Sequence, residues 1–268
     1  MNKLLFACSA LAFVMSCAVN PLTGKRQLAL SSETELLPVS FQQYNEFLGS
    51  SKVVKGTADA QLVEKVGNNI KNAAVKWMNS KGMGVNIKDY QWQYTLVEDK
   101  AVNAWCMPGG KIAVFTGILP VTKNESGLAT VMGHEVAHAL LAHSRSRIDA
   151  AKVQLFGAQI LGAVTANSKE VVQRATQMAY GVGSGLGSLA YGRNHELEAD
   201  HLGLILMAIA GYNPDTAVPF WERMSQTGGA KTFEFLSTHP SHSTRIREIQ
   251  KLLPKAKSEA KQFGVNLK

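Results

Sequence analysis

The chain has 268 residues, of which 46% are hydrophobic and 18% are charged, so it is long enough to bury one sizeable core. A charged fraction this low excludes a largely disordered protein. The formal net charge of +8 comes from basic residues scattered along the sequence, without a dense run interleaved with aromatic side chains, which argues against a nucleic-acid partner.

The first residues are typical of a secretory signal. An apolar run over residues 4–15 follows a short charged start, and this run is too short to cross a bilayer, which takes about 20 residues. The four residues Val-Met-Ser-Cys that end at Cys17 resemble a bacterial lipobox, in which the cysteine is acylated. We predict that residues 1–16 are a signal peptide, that Cys17 is lipidated and that residues 17–30 are a tether. An ordinary cleaved signal or an uncleaved anchor is the alternative.

Cysteine usage is consistent with that interpretation. If Cys8 leaves with the signal and Cys17 carries lipid, Cys106 is the cysteine that remains, so no intramolecular disulfide is expected. Cys106 lies in an apolar stretch and is predicted to be a small core residue.

Hydrophobic spacing predicts two helices and then two strands in the first half of the chain. Residues 31–47 and 58–78 carry apolar side chains at helical spacing. Residues 91–97 alternate between apolar and polar side chains, as a half-buried strand does. A Pro-Gly-Gly turn at residues 108–110 leads into a second strand, residues 111–116, which is apolar and rich in β-branched side chains.

The second half of the chain is predicted to be helical. The expected helices run from residues 124–127 through about His143, within the small-residue region 150–191, over 195–210, from Asn213 with a kink at Pro219, and over 244–253, where Pro254 ends the helix. Residues 31–268 are therefore predicted to form a single α+β domain, mostly α, with a small mixed sheet.

The strongest chemical signal is the pentad His134-Glu135-Val136-Ala137-His138. On a helix, residues four apart lie about 40° apart around the axis, so both imidazoles face the same way and can share a zinc ion. Glu135 adjoins the first ligand and can reach a water molecule at the metal. The pentad lies on an apolar helix directly after a strand, which supports this interpretation. Two histidines satisfied within a core are the alternative.

A catalytic zinc site needs a third protein ligand. The metzincin pattern would place glycine and histidine where this chain has Leu141 and Ser144, so that class is excluded. His143 lies about 140° around the helix from His138. We therefore predict that His143 is a surface or helix-end residue.

Residues 195–200 supply the next candidates for the third ligand. Glu196 and Asp200 are four apart and share a helix face, whereas Glu198 points nearly opposite to Glu196. One carboxylate of the pair can bind the metal while the other holds a ligand imidazole in the correct tautomer. A solvated acidic helix face is the alternative.

Four motifs together resemble one peptidase family. They are the pentad, the Glu-x-x-x-Asp pattern at 196–200, the Ser-Thr-His-Pro segment at 237–240 with the following Arg245-Ile246, and the segment 103–117. The family is that of the gluzincin metallopeptidases that include the CAAX prenyl endopeptidase, HtpX, the mitochondrial Oma-type proteases and BepA. The resemblance extends over residues 60–253 and is greatest to the small bacterial lipoprotein members. It implies a gluzincin metalloprotease domain whose small sheet is packed by the helix of the pentad.

The resemblance also implies a role for each motif residue. His134, His138 and Glu196 would bind one zinc ion per chain, Glu135 would be the general base, and Asp200 would support a ligand.

Two further residues keep more than one interpretation. The resemblance places His239 on a loop near the metal, where it would stabilise the oxyanion or cap the open coordination position of the zinc. A loop histidine without a function is the alternative, and His242 is a weaker candidate. Arg245 would pair with Asp200 or with a substrate carboxylate, or would cap the last helix.

An extended substrate is expected to pair with the edge of the second strand, where Gly110, Lys111, Ile112 and Ala113 would contact it. The predicted protein is a zinc endopeptidase, lipid-anchored in a bacterial cell envelope with the outer membrane preferred, and facing the periplasm. The family resemblance alone implies its substrates, which would be unfolded or misassembled envelope proteins. A client-binding chaperone or scaffold with structural zinc, or a low-activity protease gated by His239, is the alternative. The oligomeric state is left open.

Overall fold

The computed structural model describes residues 17–157, 169–180, 191–226, 234–239, 244–265 and 267. The predicted signal peptide lies outside these residues, as does much of the small-residue region 150–191. No helix within the described ranges is both long and apolar enough to span a bilayer.

The described residues are mostly helical. The helices are α1 (Glu33–Gly49), α2 (Ala58–Ser80), α3 (Leu119–Thr122), α4 (Glu125–Leu140), α5 (His143–Gly157), α6 (Lys169–Tyr180), α7 (Arg193–Ile209), α8 (Ala217–Gln226), α9 (Glu234–Thr238) and α10 (Arg245–Gln262). The 3-10 turns are Gly84–Ile87, Thr116–Ile118 and Pro214–Thr216.

The main sheet has four strands in the order β3-β4-β6-β5. Its strands are β3 (Val53–Val54), β4 (Gln93–Val97), β5 (Ala104–Met107) and β6 (Lys111–Phe115). β4 and β6 are parallel, and the β3-β4 and β5-β6 pairs are antiparallel. The predicted α+β class, mostly α with a small mixed sheet, is thus confirmed.

The segment predicted as a tether is folded. It forms a hairpin of β1 (Cys17–Val19) and β2 (Arg26–Leu28), which are antiparallel. Asn20 donates from Nδ2 to the carbonyl of Leu141 at 2.6 Å, and Ser146 donates to the carbonyl of Leu28 at 3.2 Å. The hairpin therefore packs against the chain reversal between α4 and α5. The predicted lipidation of Cys17 is not tested by these contacts and stays a prediction.

The helix of the pentad, α4, lies at the centre of the core. Every residue from Gly127 to Leu140 is buried, and α4 packs along α7. Two glycines allow this close approach: a Cβ on Gly133 would lie 2.8 Å from the carbonyl oxygen of Gly203, and a Cβ on Gly203 would lie 2.9 Å from the amide nitrogen of His134. Larger residues at these positions would separate the two helices that carry the candidate metal ligands.

Two predicted helix boundaries are wrong. The helix expected to run through His143 ends at Leu140, because Ala142 takes a positive φ of 56° and His143 starts a new helix. The last helix does not stop at Pro254 but continues to Gln262. Pro254 has no N–H to donate to the helix. Ala256 and Ala260 are fully buried beyond it, and their packing holds the last turns.

The predicted kink at Pro219 is replaced by a change of helix type. A 3-10 turn over Pro214–Thr216 is followed by α8 from Ala217. Pro219 thus falls in the first turn of α8. Backbone N–H groups in a first turn have no acceptor within the helix, so a proline there costs no hydrogen bond.

Candidate metal centre

The two histidines of the pentad face each other across one turn of α4. The Nε2 atoms of His134 and His138 are 3.1 Å apart, and both side chains are buried. Their approach follows from the period of the helix, which places residues four apart on one face.

Helix α7 brings Glu196 to the same point. Its Oε1 is 3.3 Å from His138 Nε2, and its Oε2 is 3.5 Å from His134 Nε2. Glu196 is fully buried. A buried carboxylate between two imidazole nitrogens completes the set of three side chains that the motifs implied for a metal.

His239, directly after α9, is the fourth member of the group. Its Nδ1 lies 3.2 Å from His134 Nε2 and 3.1 Å from Glu196 Oε1. The ring stacks on Phe235, with 4.5 Å between the ring centroids. One ligand atom from each of the four side chains lies within 4.8 Å of every other, so His134, His138, Glu196 and His239 together can hold a metal ion.

Asp200 and Arg245 support this group from behind. Asp200 Oδ1 is 3.0 Å from His134 Nδ1, on the side of the ring away from His138. Arg245 donates to both oxygens of Asp200, at 2.8 and 2.7 Å, and its Nη1 is 2.8 Å from Glu196 Oε2. The guanidinium lies 3.4 Å from the ring centroid of Trp221. Of the roles open to Arg245, the structure selects the pairing with Asp200, and complete burial removes it from substrate.

The charges of the centre favour a bound cation. Burial alone would raise the pKa of Glu196, but the charge of His239 and hydrogen bonds from the histidines hold it well below its usual range. The pKa of Asp200 is also lowered against the effect of burial, chiefly by Arg245. Burial lowers the pKa of His138 well below its usual value, which leaves a neutral imidazole. Burial also opposes protonation of His134, but Asp200 and Glu196 raise its pKa to about 9. A metal ion bound there would have to displace that proton.

Glu135 lies next to the group without being part of it. Its Oε1 is 3.3 Å from His239 Nε2, and this buried atom makes no hydrogen bond within the described part of the chain. Burial raises the pKa of Glu135, although the charges of His239 and His134 oppose the shift. A carboxylate with a raised pKa is suited to accept and return a proton.

His143 was predicted to be a surface or helix-end residue; it does start a helix, α5, but it is not at the surface. It is fully buried, with its Nδ1 3.1 Å from His138 Nδ1 and its Nε2 2.9 Å from Glu198 Oε2. The prediction assumed that one helix runs through residue 143, whereas the reversal at Ala142 turns His143 back toward α4. An alanine at positive φ carries no sequence signal, since glycine or asparagine usually occupies that conformation.

The predicted substrate contacts on β6 are contradicted by the sheet topology. β6 pairs with β4 on one side and β5 on the other, so it has no free edge. Ile112 and Ala113 are fully buried, Lys111 donates to Gln93 Oε1 at 3.2 Å, and a Cβ on Gly110 would meet the Trp92 ring. The prediction failed because the apolar stretch around Cys106 was not predicted as a strand, and that strand, β5, lies outside β6 in the described sheet.

Cys106 lies on β5 with its thiol buried in the core, where it was predicted to be. Burial, together with the charge of Glu135, raises its pKa well above the usual value. The influence of Glu135 shows that β5 passes close to the centre.

Comparison with known proteins places the chain among metallopeptidases. A sequence model of peptidase family M48 matches residues 69–253. The chain is 37% identical over 172 residues to the mitochondrial metalloendopeptidase OMA1 of Schizosaccharomyces pombe, covering 63% of this chain and 49% of that protein. It is 28% identical over 252 residues to human mitochondrial OMA1, covering 89% and 46%. It is 25% identical over 202 residues to the metalloprotease YcaL of Escherichia coli, covering 75% and 76%.

The chain thus spans about half the length of the mitochondrial relatives that it matches.

The same comparison overturns the predicted location. The relatives with the higher identities are mitochondrial enzymes of yeasts and a plant, and those of vertebrates are mitochondrial as well. The prediction of a location in a bacterial cell envelope is therefore wrong. It rested on the short apolar start and Cys17, a pattern of targeting and not of fold.

Proposed function

Because the chain belongs to peptidase family M48, we propose that it is a zinc-dependent endopeptidase that hydrolyses peptide bonds in unfolded or misassembled proteins. The family membership agrees with the resemblance that the four motifs indicate. We further propose that the metal is zinc, that the substrates are proteins, and that the enzyme acts in protein quality control.

The spacing of the four ligand atoms is the observation that carries the choice of zinc. Ligands 2.0–2.1 Å from a tetrahedral zinc ion lie about 3.3 Å from one another. The separations between His134 Nε2, His138 Nε2, Glu196 Oε1 and His239 Nδ1 include 3.1, 3.3, 3.2 and 3.1 Å. Three nitrogens and one carboxylate oxygen are also ligands that zinc accepts. The residues therefore fit a zinc ion without rearrangement of the backbone.

Zinc held there would supply a Lewis acid that lowers the pKa of water and polarises the scissile carbonyl. Glu135 would take the proton of the attacking water and deliver it to the leaving amine. Its burial raises its pKa toward the working range of a general base.

The outer strand β5 is the position that we propose for an extended substrate, in place of β6. Within the described part of the chain, β5 forms one edge of the sheet and packs against α4, and its own side chains are buried. A peptide added there would extend the sheet by main-chain hydrogen bonds and would pass close to Glu135. Recognition through the main chain suits unfolded proteins, because it requires an extended segment more than a particular sequence.

The test of the proposal is cleavage of casein by the purified chain, with bound zinc quantified on the same sample. We expect one zinc ion per chain, cleavage that stops when a chelator removes the metal, and recovery when zinc is restored. Cleavage that persists in the fully chelated protein, or a chain that binds no zinc, would contradict the proposal.

A scaffold with a structural metal is the second candidate, and His239 is the observation that favours it. Structural zinc sites are closed by four protein ligands, whereas catalytic sites keep one position open. With His239 at the fourth position the centre resembles a closed site. An intact Glu135 beside the group favours a peptidase whose fourth position is covered by His239 at rest.

Substitution of His239 by alanine separates these roles. We expect the His239→Ala variant to keep its zinc on the three remaining ligands and to cleave casein as fast as the wild type or faster, because the fourth position becomes free for water. Loss of cleavage with zinc retained would instead assign His239 to the oxyanion, and loss of zinc would indicate a structural site. His201→Ala, on α7 but outside the group, is the control for loss of a histidine.

A further inference from the structure

We propose that His143 and Glu198 form a hydrogen-bonded relay that positions the metal ligand His138, and that Lys25 of the N-terminal hairpin completes the relay. The inference deepens the proposed function, since it rests on a metal at His138. It assigns a role in metal binding to three residues that the family motifs leave aside.

The tautomer of His138 follows from its two neighbours. Its Nε2 faces His134 and Glu196, at 3.1 and 3.3 Å. A nitrogen that binds a metal carries no proton, so the proton of the neutral ring lies on Nδ1. That atom is 3.1 Å from His143 Nδ1, which must then be the acceptor.

The same reasoning assigns the next two links. Because His143 accepts at Nδ1, its own proton lies on Nε2, which is 2.9 Å from Glu198 Oε2. The other oxygen of Glu198 is 2.5 Å from Lys25 Nζ. Each of the two histidine contacts thus has one donor and one acceptor, and the Lys25 ammonium adds an ion pair at the far end of the relay.

The first histidine of the pentad, His134, has an equivalent support, so the relay is one of two. His134 Nδ1 is 3.0 Å from Asp200, and Asp200 is held by Arg245. Each ligand imidazole therefore has a carboxylate behind it, and each carboxylate is paired with a basic side chain. For His138 an imidazole is interposed, because the reversal at Ala142 places His143 between the ligand and α7.

Such partners fix the ring of a metal-bound histidine and raise its basicity, and their loss typically weakens metal binding by about 10–100-fold. The competing explanation is that His143 only fills the core, where its ring stacks on His195 at 4.2 Å between centroids. Loss of packing would lower thermal stability but would leave the zinc affinity of the folded protein unchanged. Zinc affinity and stability must therefore be measured together.

The experiment measures the zinc dissociation constant of the full chain by competition with a chromogenic chelator, and the thermal unfolding of the metal-free form. We expect His143→Leu to weaken zinc binding by about 10–100-fold. His143→Asn should recover most of the affinity, because its amide oxygen lies near the position of the lost Nδ1 acceptor and retains the hydrogen bond from His138. If His143 only fills the core, both variants should bind zinc as tightly as the wild type does.

Lys25 has a closely matched control. Lys25 and Lys65 are both 59% exposed, and each has its Nζ 2.5 Å from one glutamate oxygen, but Lys65 pairs with Glu125, remote from the relay. We expect Lys25→Met to weaken zinc binding by a few-fold, since an exposed pair is partly screened by water. Lys65→Met should leave the zinc affinity unchanged.

Wild-type zinc affinity in His143→Leu would overturn the relay, as would equal loss in the leucine and asparagine variants. If neither variant of His143 folds, an unchanged zinc affinity in Lys25→Met and Glu198→Leu would overturn it. These measurements use no substrate, so a wild-type chain that binds zinc but cleaves nothing would contradict the proposed function and leave the relay standing. Failure of the relay alone would leave the peptidase intact.

Discussion

Replacement of Glu135 by glutamine should abolish cleavage of casein while the chain keeps its zinc and its fold. Glutamine has nearly the same shape but cannot accept the proton of the attacking water. Loss of a positioned general base typically costs roughly 10²–10⁴-fold in rate. Glu135 lies beside the four ligand residues and not among them, so its loss should not reduce the zinc content. The measurement is the rate of casein cleavage together with zinc per chain.

Glu125→Gln is the matched control for that substitution. Glu125 starts the same helix, but its side chain is 40% exposed and pairs with Lys65. We expect this variant to cleave casein at the wild-type rate. Undiminished cleavage by Glu135→Gln with full zinc would show that another group acts as the base, and loss of zinc would show that Glu135 is needed to build the site.

Replacement of Arg245 by methionine should cause the largest loss of stability among the substitutions considered. Arg245 is fully buried, donates twice to Asp200 and lies 2.8 Å from Glu196. Its removal leaves two buried carboxylates without their cation, and breaking a buried pair in this way costs about 3–5 kcal/mol of unfolding free energy. Methionine keeps much of the volume, so a cavity contributes little. The measurement is chemical denaturation of the metal-free chain.

Arg247→Met controls for the loss of a positive charge on the same helix. Arg247 is mostly exposed, and its weak contact with Glu248 spans 4.0 Å. Substitution there should change the unfolding free energy by less than about 0.5 kcal/mol. Arg245→Lys should be only partly stable, because one ammonium group cannot donate to both carboxylates in the fork geometry of a guanidinium. An Arg245→Met variant as stable as Arg247→Met would contradict the assignment of Arg245 to these carboxylates.

The sequence by itself determined the parts of the site that depend on local geometry. The approach of His134 and His138 follows from the period of a helix, and the same period places Glu196 and Asp200 on one face of α7. Apolar spacing located α2 and β4 within two residues of their observed bounds. The four motifs were sufficient for the family, and the third ligand that they imply, Glu196, lies beside the two histidines. The location predicted from the short apolar start is contradicted by the comparisons. That prediction used only the start of the chain and no feature of the folded domain.

Only the tertiary structure decided which residues support those ligands. His143 approaches His138 because the chain reverses at Ala142, a residue type that does not predict a reversal. Glu198 on α7 contacts His143 at the start of α5. The apolar sequence of β6 does not distinguish an edge strand from a central strand. In the fold β6 is a central strand, because β5 pairs with it on the side away from β4. The sequence left three roles open for Arg245, and in the fold it pairs with Asp200 and Glu196. These contacts join residues far apart in the chain, and their free energy depends on how helices and strands pack together. The spacing of residues along the sequence does not report that packing.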